Sequence, residues 1–131
     1  MKVMALDYGA ARTGVAVSDV TGTLARPVTV VERAATQAGL RRLVELVASE
    51  EAELIVVGVP LTLRGAQGLQ AEETDRFVEA LRGAVSIPVE RFDERFTTAL
   101  ASRDPAAKAP EDARAAAHLL ETYLAWALNR V

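Results

Sequence analysis

Val3-Met4-Ala5-Leu6-Asp7 is followed by Tyr8-Gly9-Ala10-Ala11-Arg12 and then by Thr13-Gly14-Val15-Ala16-Val17-Ser18. The first run is apolar without interruption until its last residue, as a strand covered on both faces should be. The third is rich in Val and small residues and reads as a second strand. The turn-forming segment between them is short, so the two pair as an antiparallel hairpin. Asp19 to Pro27 is a second turn-rich segment, in which Asp19 reads as a turn residue, and β-branched Val28 to Glu32 is a third strand. The opening is therefore an antiparallel meander.

Outward from it the pattern changes period. Leu40, Leu43, Val44 and Val47 recur at helical spacing, which predicts a helix from about Thr36 to Ser49 with one apolar stripe. Leu54 to Val59 is apolar on both faces and predicts a central strand ended by Pro60. Leu61 to Gly68 reads as a loop, and Leu69 to Arg82 as a helix with Phe77, Val78 and Leu81 inward and Gly83 as its cap. Pro88 to Phe92 predicts a fifth strand, and Asp104 to Pro110, with two prolines, a break. A last helix from about Glu111 to Arg130 would bury Ala113, Ala117, Leu120, Leu124 and Leu128. Three antiparallel strands followed by right-handed αβ crossovers give an α/β fold. Its sheet is mixed and five-stranded, with helices on both faces.

At 131 residues the chain is expected to be a single domain, 1–131, large enough to fold without staples. It has no cysteine, which excludes disulfides, thiolate zinc sites and thiol catalysis. No apolar run approaches a membrane span, and the chain enters a strand straight after Met1, so a cytoplasmic protein with no membrane partner is expected. The net charge of −3 excludes a generic polycationic nucleic-acid binder, though not a local basic patch. Arg exceeds Lys thirteen to two, which either a GC-rich genome or phosphate recognition by guanidinium forks would produce.

G-x-S-x-G and H-E-x-x-H are missing, and Val15-Ala16 stand where a phosphate loop needs Lys and Ser/Thr. The single histidine, His118, lies off the last helix's apolar stripe and reads as a boundary residue. Three acidic positions remain. Asp7 ends an apolar strand, where a carboxylate is costly unless paired or bound to a cation, although Asp before Gly is also a common turn. Asp93-Glu94 closes the fifth strand, and Asp112 opens the last helix, where acidic residues favour the helix dipole. In a mixed sheet these three ends can meet at one edge. Clustered carboxylates repel unless a cation joins them, and Mg²⁺ prefers carboxylate oxygens, waters and phosphates. Arg12, Arg64, Arg95 and Arg114 stand in or near the same segments and could hold a phosphate backbone.

These residues also resemble a known family. Leu6-Asp7-Tyr8-Gly9 with Arg12, Gly14-Val15-Ala16 and Ser18-Asp19 is similar to the opening motif of the YqgF/RuvX family. Val57-Gly58-Val59-Pro60-Leu61 with Gly65, then Asp93-Glu94-Arg95-Phe96-Thr97-Thr98 with Ala101, resemble its second and most specific motifs. Asp112, Ala115-Ala116, Leu119-Leu120 and Tyr123-Leu124 resemble its C-terminal motif. The resemblance implies an RNase H-like fold related to the Holliday junction resolvases. It implies a metal-dependent endonuclease processing the 5′ end of pre-16S ribosomal RNA, or branched DNA, with Mg²⁺ or Mn²⁺ in a two-metal site. Asp7, the Asp93/Glu94 pair (Glu94 favoured) and Asp112 would be the catalytic, metal-binding carboxylates. Structured RNA or branched DNA, within a ribosomal precursor particle, would be the partner of a monomer or homodimer. The segment Ser102 to Pro110, with only Arg103 and Lys108, is shorter than the family's usual basic loop.

Two other classes compete. One is a catalytically weak nucleic-acid-binding module of the ribosome or transcription machinery. Cleavage of RNA and branched DNA with and without Mg²⁺ or Mn²⁺ separates it from the nuclease. The other is an actin-like ATPase, which would need a second phosphate hairpin and subdomain that this chain is too short to hold.

Overall fold

The computed structural model describes residues 1–59, 68–93 and 111–128. Eight elements follow in order: β1 (Val3–Asp7), β2 (Arg12–Ser18), β3 (Ala25–Glu32), α1 (Gln37–Glu50), β4 (Leu54–Val59), α2 (Gly68–Ala84), β5 (Val89–Asp93) and α3 (Glu111–Leu128). The strands form one sheet in the order β3-β2-β1-β4-β5. The meander β1–β2–β3 is antiparallel, and β4 and β5 join it in parallel. The expected α/β class, element order and mixed sheet are all present.

The pleat sorts side chains to two faces. Met4, Leu6, Val15, Val17, Ile55 and Val57 face α1 and α2, where Leu43, Phe77, Val78 and Leu81 close a buried core. Val3, Ala5, Ala16, Leu54, Val56 and Phe92 face α3. Ala113, Ala116 and Ala117 of α3 are buried against that side, where small residues on helix and sheet let the backbones approach closely. Leu119, Leu120 and Leu124 complete the packing. Each such buried leucine contributes about 1.5–3 kcal/mol relative to exposure.

Three local expectations change. β3 begins at Ala25 rather than Val28 and carries Pro27 within it. Proline is tolerated there because β3 is an edge strand, and the register shifts beside it between Val15 and Ala16. Gly83 is not a cap: α2 continues through Ala84, and among the described residues only Gly22 is a glycine with positive φ. Leu128 is not buried but 64% exposed, beside Met1 and Gly22 where α3 passes the start of β1. Thr36 caps α1 as its spacing suggested, its hydroxyl accepting from the Gly39 amide at 3.1 Å. The C-cap is Glu51 in the left-handed region, its N–H directed at Ala48 and Val47 carbonyls. His118 is a boundary residue, 20% exposed and 3.8 Å from Glu121.

Candidate nuclease site

β1 carries Asp7 out of the core at the end of the sheet toward which the parallel strands β1, β4 and β5 all run. Directly opposite Asp7 on β2 is Gly14. Cross-strand partners point to the same face, and Gly14 is on the α3 face with Ala16. A side chain at Gly14 would collide with the backbone carbonyl of Asp112. The first turn of α3 is thus seated on a gap that only glycine leaves, at the residue facing Asp7. Asp7 and Asp112, from distant parts of the sequence, are carried to the same end of the sheet in this way. Both are half-buried.

The turn between β1 and β2 is held from inside. Buried Thr13 donates its hydroxyl to the Gly9 carbonyl at 3.3 Å and accepts from the Gly9 amide at 3.4 Å. The Arg33 amide donates to the Ala11 carbonyl at 2.9 Å, tying the end of β3 to the same turn. Arg12, at the start of β2, places its Nε 3.3 Å from Asp112 Oδ2. The Arg12 side chain is 67% exposed and that of Asp112 39%, so the pair itself is worth about 1 kcal/mol at most. Its importance is positional: it puts a guanidinium on the rim of the carboxylate pair. Arg114 is half-buried two residues into α3 from Asp112.

The strand register places Asp93 at the same sheet end. Leu6 and Arg91 share Val57 as partner, so Asp7 and Asp93 both lie just beyond that row, and Asp93 is paired with Val59. On β5, Phe92 packs edge-on to Tyr123 of α3, with centroids 5.4 Å apart, and Glu90 accepts from the Tyr123 hydroxyl at 3.1 Å. Val89 and Arg91 face the other way, the latter held by Asp75 and Glu79 of α2. Glu94, Arg64 and Arg95, with the Thr97-Thr98 and Ser102 to Pro110 stretches, lie outside the described residues. Among the described residues no group of three or more His, Asp or Glu comes together as a metal site. The candidate ligands at this sheet end, Asp7, Asp93 and Asp112, offer carboxylate oxygens in a chain without cysteine, and that chemistry fits a hard divalent cation such as Mg²⁺ or Mn²⁺.

Asp19 is a turn residue, as expected. Its Oδ1 accepts from the Thr23 and Leu24 amides at 2.9 and 3.2 Å, and its Oδ2 from the Thr21 hydroxyl at 2.6 Å. The Thr21 hydroxyl first, and then these amides, hold its carboxyl well below the usual aspartate range. Thr13 and Tyr8 were not singled out in the sequence. Nothing in the sequence marks Thr13, whereas Tyr8 carried a signal: a large aromatic residue inside an otherwise small-residue turn.

Comparisons with known proteins identify the family and the fold. A family model described as "RuvX: Holliday junction resolvase" matches residues 1–126. A protein of Chloroflexus aurantiacus is 40% identical over 130 residues, covering 93% of this chain and 85% of its own. One of Syntrophomonas wolfei is 37% identical over 132 residues, covering 95% and 94%. Both carry the provisional name pre-16S rRNA nuclease. Among solved structures, Thermus thermophilus RuvC in complex with a Holliday junction substrate superposes with a TM-score of 0.68. That similarity covers 100% of this chain and 97% of RuvC at 20% identity, and it shows the shared RNase H-like fold. The chain belongs to the RuvX family of Holliday junction resolvases, endonucleases that hydrolyse phosphodiester bonds.

Proposed function

We propose that this chain is a divalent-metal-dependent endonuclease that trims the 5′ end of precursor 16S ribosomal RNA in the cytoplasm. The observation that carries this reading is the seating of Asp112 on Gly14, opposite Asp7. Asp7 and Asp112 supply carboxylate oxygens as metal ligands. Glu94 is the third ligand in preference to Asp93, because it shares sequence parity with Glu90 and Phe92, whose side chains meet α3. Two bound Mg²⁺ or Mn²⁺ ions would supply a hydroxide nucleophile at neutral pH and neutralise the leaving oxygen.

The protein's own groups do the positioning. Arg12 and Arg114 flank the carboxylates and present fork donors to the phosphate backbone, with Arg64 and Arg95 as further phosphate contacts. Arg12 in addition forms an ion pair with Asp112. The names of the relatives support the RNA substrate, and the family description supports branched DNA as a second one. The whole chain, 1–131, is the nuclease domain.

The test is cleavage of a 16S precursor RNA bearing its 5′ leader and of a four-way DNA junction, each with Mg²⁺, Mn²⁺ or EDTA. Metal-dependent cleavage is expected, falling at least about 100-fold in Asp7→Asn, as loss of a charge-stabilising group commonly does. Cleavage in EDTA, or at the wild-type rate by Asp7→Asn, would refute the mechanism.

A further inference from the structure

Tyr8 follows Asp7 directly, so the pleat turns its side chain to the opposite face of the sheet, toward α2. There its ring stacks on Phe77, with centroids 4.4 Å apart and planes inclined by 18°. The ring remains partly exposed. Glu73 lies one helical turn before Phe77 and Arg76 immediately before it, and both act on the tyrosine hydroxyl. Burial first, and then the Glu73 carboxylate, push that hydroxyl above the usual tyrosine range, with Arg76 opposing them. As a neutral phenol it is an O–H donor. Among the described residues it makes no hydrogen bond, and Arg76, which is exposed, enters no ion pair. Arg26, Arg42, Arg82 and Arg91, by contrast, are each held by a carboxylate.

We infer that Tyr8 and Arg76 together hold a backbone phosphate of the nucleic-acid strand on the α2 side of the sheet end, across from Arg12 and Arg114 on the α3 side. The inference rests on the nuclease reading above. It gives the sheet end hydrogen-bond donors on both of its faces, so that a strand laid over the end of β1 is gripped on either side of the bond to be cut. Tyr8 suits this role because Phe77 already fixes its ring, and little rotamer freedom is lost when the hydroxyl engages. Arg76 adds a planar fork that matches two phosphate oxygens. Both act on a phosphate next to the reacting one, so they are positioning residues. Such contacts set register and carry no base information.

Two variants of the full chain test this. Tyr8→Phe keeps the ring and its stack and removes only the O–H, while Arg76→Gln removes the fork. Dissociation constants are measured in EDTA, and KM and kcat in Mg²⁺, on the leader RNA and the four-way junction. Each variant is expected to bind about three- to tenfold more weakly, the range for losing one hydrogen bond. KM should rise by a similar factor and kcat should change less. Arg76→Gln should also flatten the log–log salt slope of binding by about 0.7–0.9, the value of one phosphate contact. The melting temperature of Tyr8→Phe should match that of the wild type. Wild-type Kd, KM and salt slope in both variants, or a fall in kcat alone, would overturn the inference while the nuclease reading stood. A wild-type protein that neither binds nor cuts either substrate would overturn both.

Discussion

Replacing Gly14 with alanine adds one methyl group at the most crowded point near the site. That methyl would sit inside contact distance of the Asp112 carbonyl oxygen and carbon, and 3.1 Å from the Ala113 nitrogen. These are backbone atoms of the first turn of a long helix, so no side chain can swing aside. Either α3 lifts from β2, exposing Ala113 and Ala116, or the β1–β2 pair opens at Asp7. Forced overpacking of this kind costs about 1–3 kcal/mol. For a chain of this size that corresponds to a fall in melting temperature of about 3–12 °C. Function should suffer more than stability, because displacing Asp112 from Asp7 by an ångström can cost about 100-fold in rate. The assay is a thermal melt followed by metal-dependent cleavage at a temperature where the variant is still folded. Gly83→Ala is the matched control. An added methyl there meets nothing within 4 Å, and inside a helix alanine is favoured over glycine by up to about 1 kcal/mol. The two glycines should therefore respond with opposite signs. A Gly14→Ala protein with wild-type melting and cleavage would show that α3 does not start against β2 and that the carboxylates are not held as described.

Added Mn²⁺ should raise the melting temperature of the wild type more than that of Asp7→Asn or Asp112→Asn, since a formed site at 100 times its Kd gains about 2.7 kcal/mol; equal shifts in all three, read by calorimetry, would count against a shared site. Asp19 has a depressed folded pKa, so its stabilisation is present above the ordinary aspartate value of about 3.9 and is lost as pH falls below it. The melting-temperature difference between wild type and Asp19→Ala should accordingly be constant from pH 7 to 5 and shrink toward pH 2. Thr36→Ala removes the α1 cap and should cost about 1 kcal/mol in denaturant unfolding at constant m-value, with cleavage unaffected.

The element order was legible because each segment has a clear period and its own punctuation. Misreadings came where tertiary position overrides local preference. Pro27 looked like a strand breaker but lies on the sheet edge, where its missing N–H costs little. Gly83 looked like a cap, and the helix simply runs through it. Leu128 continues the apolar spacing of α3 beyond the strands that would cover it. At the site, Asp7 and Asp112 stood out as carboxylates at element ends, and the family motifs tied them together. What joins them physically is Gly14, and the need for glycine there appears only when α3 is laid against β2. Tyr8 stood out as an aromatic residue in its turn, but its pairing with Phe77 was hidden, because Phe77 is distant in sequence and already had a sufficient reason to be apolar.

The dependence of the site on α3 also bears on how the protein matures during synthesis. Asp7 emerges with the first strand and Asp112 with the last helix, and α3 closes over the meander formed by β1, β2 and β3. A nascent chain that has completed β1 to β5 holds one carboxylate of the pair and a bare apolar sheet face. Contacts this far apart in sequence form late, after the loop entropy between them has been overcome. With the proposed site, truncated or stalled products would carry no cutting centre, and an endonuclease made beside abundant RNA would become competent only when its final helix docks.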